Sequence, residues 1–193
     1  LNESCPNVPG HAAASKLDAG LLHRLDAVAN GFLGQRSRPL PVVVKFSNDT
    51  ALDQIPEVAK GLIDRGFDGI ILGNTSTQYS SYRNSLHQQD RALYDYFTTT
   101  YGGGLSGEIL RTSSLQTCAR AVDAVRDAKP GREFHVIRCG GVMTAADILE
   151  SQAHGILLNQ WYVGYFEGFA QHGHGVYRAL AESILAMRAR TES

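Results

Sequence analysis

Apolar positions along this chain follow two spacings, short β-branched runs and longer stripes with a period near 3.6, and their alternation predicts strands interleaved with helices. Leu21, Leu22, Leu25, Val28 and Phe32 recur at helical spacing from a start near Ser15 or Asp18, which predicts a helix over about 18–31 closed by Gly31, Gly34 and an Arg-Ser-Arg-Pro run. Residues 41–46, Pro-Val-Val-Val-Lys-Phe, have the form of a strand buried on both faces of a parallel sheet, with Lys45 emerging at its C-terminal end. After a Ser47-Asn48-Asp49 turn, Ile55, Val58, Ala59, Leu62 and Ile63 form one helical face that stops at Arg65-Gly66. A strand over 68–72 then runs into Gly73-Asn74-Thr75.

The second half repeats the rhythm after an interruption. Residues 76–101 are polar and aromatic, with Tyr79, Tyr82, Tyr94, Tyr96 and Phe97 among Ser, Gln and Thr, and are expected to be a long irregular insertion of the kind that serves as a lid or contact surface. Leu115, Cys118, Ala119, Val122 and Val125 define a helix from Thr112 or Ser113 to Lys129-Pro130-Gly131. A strand over 134–138 leads into Cys139-Gly140-Gly141. Thr144 and Asp147 have capping-box spacing for a helix to about Gln152. A last strand is expected over 156–159 and a last helix over 176–188. With Leu1-Asn2 as a strand's tail this makes four βα units, half of a (β/α)8 barrel, in one α/β domain spanning residues 1–193.

Composition narrows the partners. A net charge of −1 supplies no basic surface for nucleic acid, and no apolar run approaches the ~20 residues of a membrane-spanning helix. Three cysteines without zinc spacing indicate neither a disulfide framework nor a structural metal. His172 and His174, in a glycine loop with no nearby ligand, are read as solvated, and no metal is assigned.

The candidate chemistry gathers just after predicted strands, and the side chains at the strand ends Asn2, Lys45, Asn74, Arg138 and Asn159 are expected to converge around one mouth. Cys5 stands between two amides and two prolines in Asn2-Glu3-Ser4-Cys5-Pro6-Asn7-Val8-Pro9-Gly10, a run that must leave its element as a shaped loop. Taken alone it is also compatible with a buried thiol in a tight turn. Gly102 to Gly107 and Gly140-Gly141 each lie between a strand and a helix, where backbone N–H groups can hold a phosphate.

The pattern Asn-x-Ser-Cys-Pro-Asn-x-Pro-Gly resembles the active-site segment of dihydroorotate dehydrogenases. Val44-Lys45 is similar to that family's strand-end lysine, and Gly73-Asn74-Thr75-Ser76 to its Asn-Thr-Thr segment. Gly104-Leu105-Ser106-Gly107 and Cys139-Gly140-Gly141-Val142 resemble its phosphate loops, and Asn159-Gln160-Trp161-Tyr162 its Gln-x-Tyr-Ser or Gln-x-Tyr-Thr. The resemblance implies the C-terminal half of an FMN-binding (β/α)8 barrel that oxidises dihydroorotate to orotate in pyrimidine biosynthesis. It implies Cys5 as base and Lys45 beside the flavin. Asn2, Asn7, Asn74 and Thr75 would lie on the substrate, and Ser106, Gly107, Gly140, Gly141, Tyr162 and Val163 on FMN.

The Gly-Leu-Ser-Gly loop is most like the quinone-linked, membrane-associated class and the cysteine base like the soluble classes. The first implies an inner-membrane-associated mitochondrial protein, attached through a part outside this chain, and the second a cytoplasmic one. Three departures stand out. Arg138 replaces a glycine before the Gly-Gly pair, where it would either bind the phosphate or block it; Val163 replaces a hydroxyl residue; and the first half of the barrel is missing. An upstream segment or second chain is therefore expected to complete the barrel. These departures and the long aromatic insertion also support a second reading, a catalytically silent structural subunit of a larger, mitochondrial assembly.

Overall fold

The computed structural model describes residues 1–4 and 17–191. Four parallel strands, β1 (Val43–Phe46), β2 (Gly69–Leu72), β3 (His135–Cys139) and β4 (Leu158–Gln160), lie side by side in chain order. Residues 1–3 extend this sheet beyond β1: Asn2 bridges Lys45 in parallel, with Glu3 N–H donating to the Lys45 carbonyl at 2.8 Å and Lys45 N–H to the Leu1 carbonyl at 2.9 Å. The arc thus holds five strand positions, one more than the units counted from the sequence.

Helices cover one face of the arc. They are α1 (Ala19–Val28), α2 (Ile55–Asp64), α5 (Arg111–Ala128) and α6 (Ala145–Ala153), followed by α7 (Val163–His172) and α8 (Val176–Thr191). Val44, Phe46, Ile70 and Leu72 are fully buried there against Leu21 and Leu25 of α1, Ile55, Val58 and Leu62 of α2, and Cys118 and Ala121 of α5. Cys118 sits in this core with its thiol 3.7 Å from the Leu72 carbonyl, and burial pushes its pKa up to about 12. It packs, and takes no part in the pocket described below.

Several local expectations shift. Asp18 caps α1, its carboxylate accepting the Leu21 N–H at 2.8 Å, but the helix runs through Gly31 in a π turn and ends at Gly34. The 76–101 insertion is not irregular: it carries two helices, α3 (Tyr79–Arg83) and α4 (Arg91–Thr100). Both have only half-buried or exposed residues, so the composition lacked the apolar stripe that betrays a helix. An antiparallel bridge between Ser76 and Leu105 closes the excursion at its neck. The last strand lies two residues later than expected, because β3 pairs with Leu158 to Gln160, while Ile156 is buried in the helix-side core. The strand β1 is not buried on both faces; Val43 and Lys45 face the uncovered side.

Candidate active site

Side chains alternate along each strand, and the register decides which residues reach the mouth. Parallel partners share a face, so Lys45, Ile71, Cys139 and Gln160 point to the uncovered side, whereas Arg138 and its partner Asn159 turn to the helix layer. The expectation that side chains at all the strand ends converge is thus corrected: Arg138 and Asn159 give way to Cys139 and Gln160, and Asn2 stays at the edge of the arc. Arg138 is fully buried and neither binds nor blocks at the mouth. Among the described residues Asn159 Oδ1 is buried without a partner.

At the C-terminal ends of the strands lies a pocket of about 460 Å³, within the ~300–1,000 Å³ range of small-molecule sites. Lys45, Asn74, Thr75, Ser106, Gly107, Gly140, Gly141, Tyr162 and Val163, all singled out from the sequence, line it together. Cys139, Val142, Met143, Gln160 and Trp161 line it too and were missed. Cys139, Val142, Gln160 and Trp161 stand inside the motifs quoted from the sequence but were given no role there, and Met143 lies one residue past them. Asn2 stands beside Lys45 at the arc's edge, exposed, outside the pocket lining, with its side-chain oxygen accepting the Ser4 N–H at 3.1 Å. Cys5 and Asn7 lie outside the described residues. Ser4, the residue before Cys5, is buried, and its carbonyl accepts from Asn74 Nδ2 at 3.5 Å.

One wall is polar. Lys45 Nζ donates to Gln160 Oε1 at 3.1 Å, a bond from β1 to β4 that spans the mouth. Glu3, nearly buried, receives Arg24 of α1 through two side-chain nitrogens, with Nη2 to Oε2 at 2.7 Å, and so pins residues 1–3 to the helix layer. The hydrogen bonds to Glu3 raise the pKa of Arg24. Asn74 and Thr75 follow β2, where Gly104 packs so closely that a Cβ there would lie 2.0 Å from Thr75 Oγ1.

The other wall is backbone. The Gly140-Gly141 loop takes positive φ at both residues, and a Cβ on Gly141 would meet Arg111 N at 2.3 Å, so only glycine brings this loop against the first turn of α5. Tyr162 and Val163 are the cap and first residue of α7, which no side chain caps among the described residues, so its N-terminal N–H groups stand at the wall of the pocket. A cation, two glycine loops and a helix N-terminus around one cavity suit a ligand with a planar body and an anionic tail.

Comparison with known proteins accords with this geometry. Among solved structures, a crystal structure of DHODH in complex with ferulenol from Eimeria tenella superposes with a TM-score of 0.72 at 18% identity, covering 98% of this chain and 50% of that one. The quinone-type dihydroorotate dehydrogenase of Kocuria rhizophila is 33% identical over 171 residues, and that of Methylococcus capsulatus 29% identical over 172. These alignments cover 87% and 86% of this chain but 43% and 44% of the relatives, so the chain spans less than half of their length. The family model described as dihydroorotate dehydrogenase matches residues 1–183, and the chain belongs to the dihydroorotate dehydrogenase family.

Proposed function

We propose that this chain carries the cofactor- and substrate-binding half of an enzyme that oxidises dihydroorotate to orotate in pyrimidine biosynthesis with FMN and passes the electrons to a quinone. The observation that carries this reading is the single pocket holding Lys45, Asn74 and Thr75 together with both glycine loops and the start of α7. The residues fit FMN: Gly107, Gly140 and Gly141 hold positive φ, which turns bare backbone toward the pocket where a phosphate can approach, and α7 offers the N–H groups of its first turn. When bound, FMN supplies the acceptor for the hydride that leaves C6 of the substrate. Cys5, by the family resemblance, removes the proton from C5. Lys45 offsets the negative charge that develops beside it, held in place by Gln160. Asn74 and Thr75, with Asn2 and Asn7, orient the substrate. The quinone rests on the relatives' names and on the Gly-Leu-Ser-Gly loop.

The features that favoured a silent structural subunit lose their force. Arg138 faces away from the pocket, and Val163 keeps the backbone N–H although it lacks a hydroxyl. An eight-stranded barrel still requires three strands beyond the five of this arc, and we assign them to an upstream segment or a second chain that pairs with β4 and with residues 1–3. Two copies of this chain would give ten strands, so self-completion does not fit.

The test is made on the native assembly. It should be yellow, and anaerobic dihydroorotate should bleach its flavin absorbance. Cys5→Ala should retain the flavin while slowing bleaching by roughly 10²–10⁴, the range of a general base. A colourless assembly that takes up no FMN, or unchanged bleaching in Cys5→Ala, overturns the corresponding part.

A further inference from the structure

Arg138 is the largest fully buried side chain of the described residues, and the chemistry above does not use it. Its guanidinium is enclosed between α5 and α6. Nε donates to Ser114 Oγ at 3.0 Å, Nη1 to Ser151 Oγ at 2.8 Å and to the Asp147 carbonyl at 3.4 Å, and Nη2 to the Arg111 carbonyl at 2.8 Å. Ser114 Oγ in turn donates to the Gly140 carbonyl at 2.7 Å. Behind the pocket, one cation is therefore bonded to the first turn of α5, which follows Ser106 and Gly107, and through one hydroxyl to the Gly140-Gly141 loop.

A second strut runs parallel to the first. Arg111 Nε lies 2.7 Å from Asp147 Oδ1, close in distance though not aligned as a hydrogen bond, and Asp147 Oδ2 accepts the N–H groups of Met143 and Thr144 just past the glycine loop. A planar fork with donors in fixed directions can tie several acceptors at set distances, which lysine cannot. Burial lowers the guanidinium's pKa, but an arginine starts far enough above neutrality to remain charged.

We propose that Arg138 is a positioning residue for the cofactor's phosphate: through Ser114 and the Arg111 carbonyl it holds the Gly140-Gly141 loop and the turn after Gly107 at one separation, so that both bond the same phosphate. The inference rests on the FMN reading and deepens it. An arginine that merely stabilised the fold would affect every flavin alike. One that sets loop spacing acts on the phosphate end alone.

The native assembly, stripped of flavin, is titrated with FMN and with riboflavin, which lacks the phosphate, and quenching of flavin fluorescence gives each Kd. In Arg138→Met, FMN affinity should fall by about tenfold or more, ~1.4 kcal/mol, while riboflavin affinity changes by less than about twofold. Ser114→Ala should reproduce most of that loss, and the double variant should be no weaker than Arg138→Met, because both cut one connection. An unchanged FMN-to-riboflavin ratio in the variants, or fully additive losses, overturns the inference. If Arg138→Met does not fold, Ser114→Ala decides by the same ratio. A wild-type assembly that binds neither flavin overturns the FMN reading and the inference together; one that prefers FMN while both variants keep its ratio overturns the inference alone.

Discussion

On the helix side of the sheet, Val44, Phe46, Ile70 and Leu72 are wholly withdrawn from water, whereas on the opposite side Leu158 is 44% exposed and Lys45 reaches across to Gln160. The helix side draws its partners from within the chain, chiefly α1, α2 and α5, whose buried residues share one core with the strands. The mouth side holds the polar groups and glycine turns, and its apolar residues have fewer neighbours. Stability and chemistry are thus assigned to opposite faces by the alternation of side chains along each strand. That assignment predicts where substitutions cost folding and where they cost ligand binding.

The largest effect should come from Phe46→Ala, which opens a cavity on the helix side and should cost ~3–5 kcal/mol in denaturant unfolding of the native assembly. A loss near 1 kcal/mol would mean that the helix face is less tightly packed than the burial implies. Next is the Cys118 thiol, whose folded pKa of about 12 stands above the ordinary 9.0. Below the lower value both states keep the proton and the thiol is silent. Between the two values only the unfolded chain ionises, so stability falls with rising pH, by on the order of 1 kcal/mol from about pH 8 to about pH 10. Unfolding curves for wild type and Cys118→Ala at both pH values should differ in that slope.

Of comparable size, Leu158→Ser should cost ~1–2 kcal/mol in the native assembly if the proposed strands cover the mouth side, since they would bury what this chain leaves in water. Leu93→Ser, at a position of α4 that is 61% exposed, sets the floor at no more than ~0.5 kcal/mol. If Leu158→Ser proves as silent as Leu93→Ser, the mouth side is uncovered in solution and the proposed completion of the barrel fails.

The parts of the fold that were legible in sequence are those whose burial is one-sided and regular. Leu21 and Leu25, and Ile55, Val58 and Leu62, mark helices because only one face of each touches the sheet. The helix α7 escaped notice because Gly164 alone in it is buried and its aromatics Phe166 and Phe169 lie exposed, so no stripe forms. Within the site, Lys45, Asn74 and the two glycine loops could be found because turn chemistry and strand ends leave marks in a single sequence. Arg138 was misread for a physical reason: proximity in sequence to Gly140 suggested proximity to the ligand, but a shift of one residue along a strand reverses the direction of a side chain.

The bridge between Ser76 and Leu105 separates the length of the excursion from the geometry at its base. Asp49, from the turn after β1, binds the Ser76 hydroxyl and accepts the Thr77 N–H at 2.8 Å, so the neck is anchored before α3 begins. Chain added or removed beyond that point extends or trims the lobe, and the entropy of closing it grows only with the logarithm of its length. The Tyr82 hydroxyl adds a second tie, accepting from Asn48 Nδ2 at 3.1 Å and donating to Ser113 Oγ at 3.0 Å, so residues 84–100, beyond both ties, are the part whose length can change at the rim without moving Thr75 or Ser106.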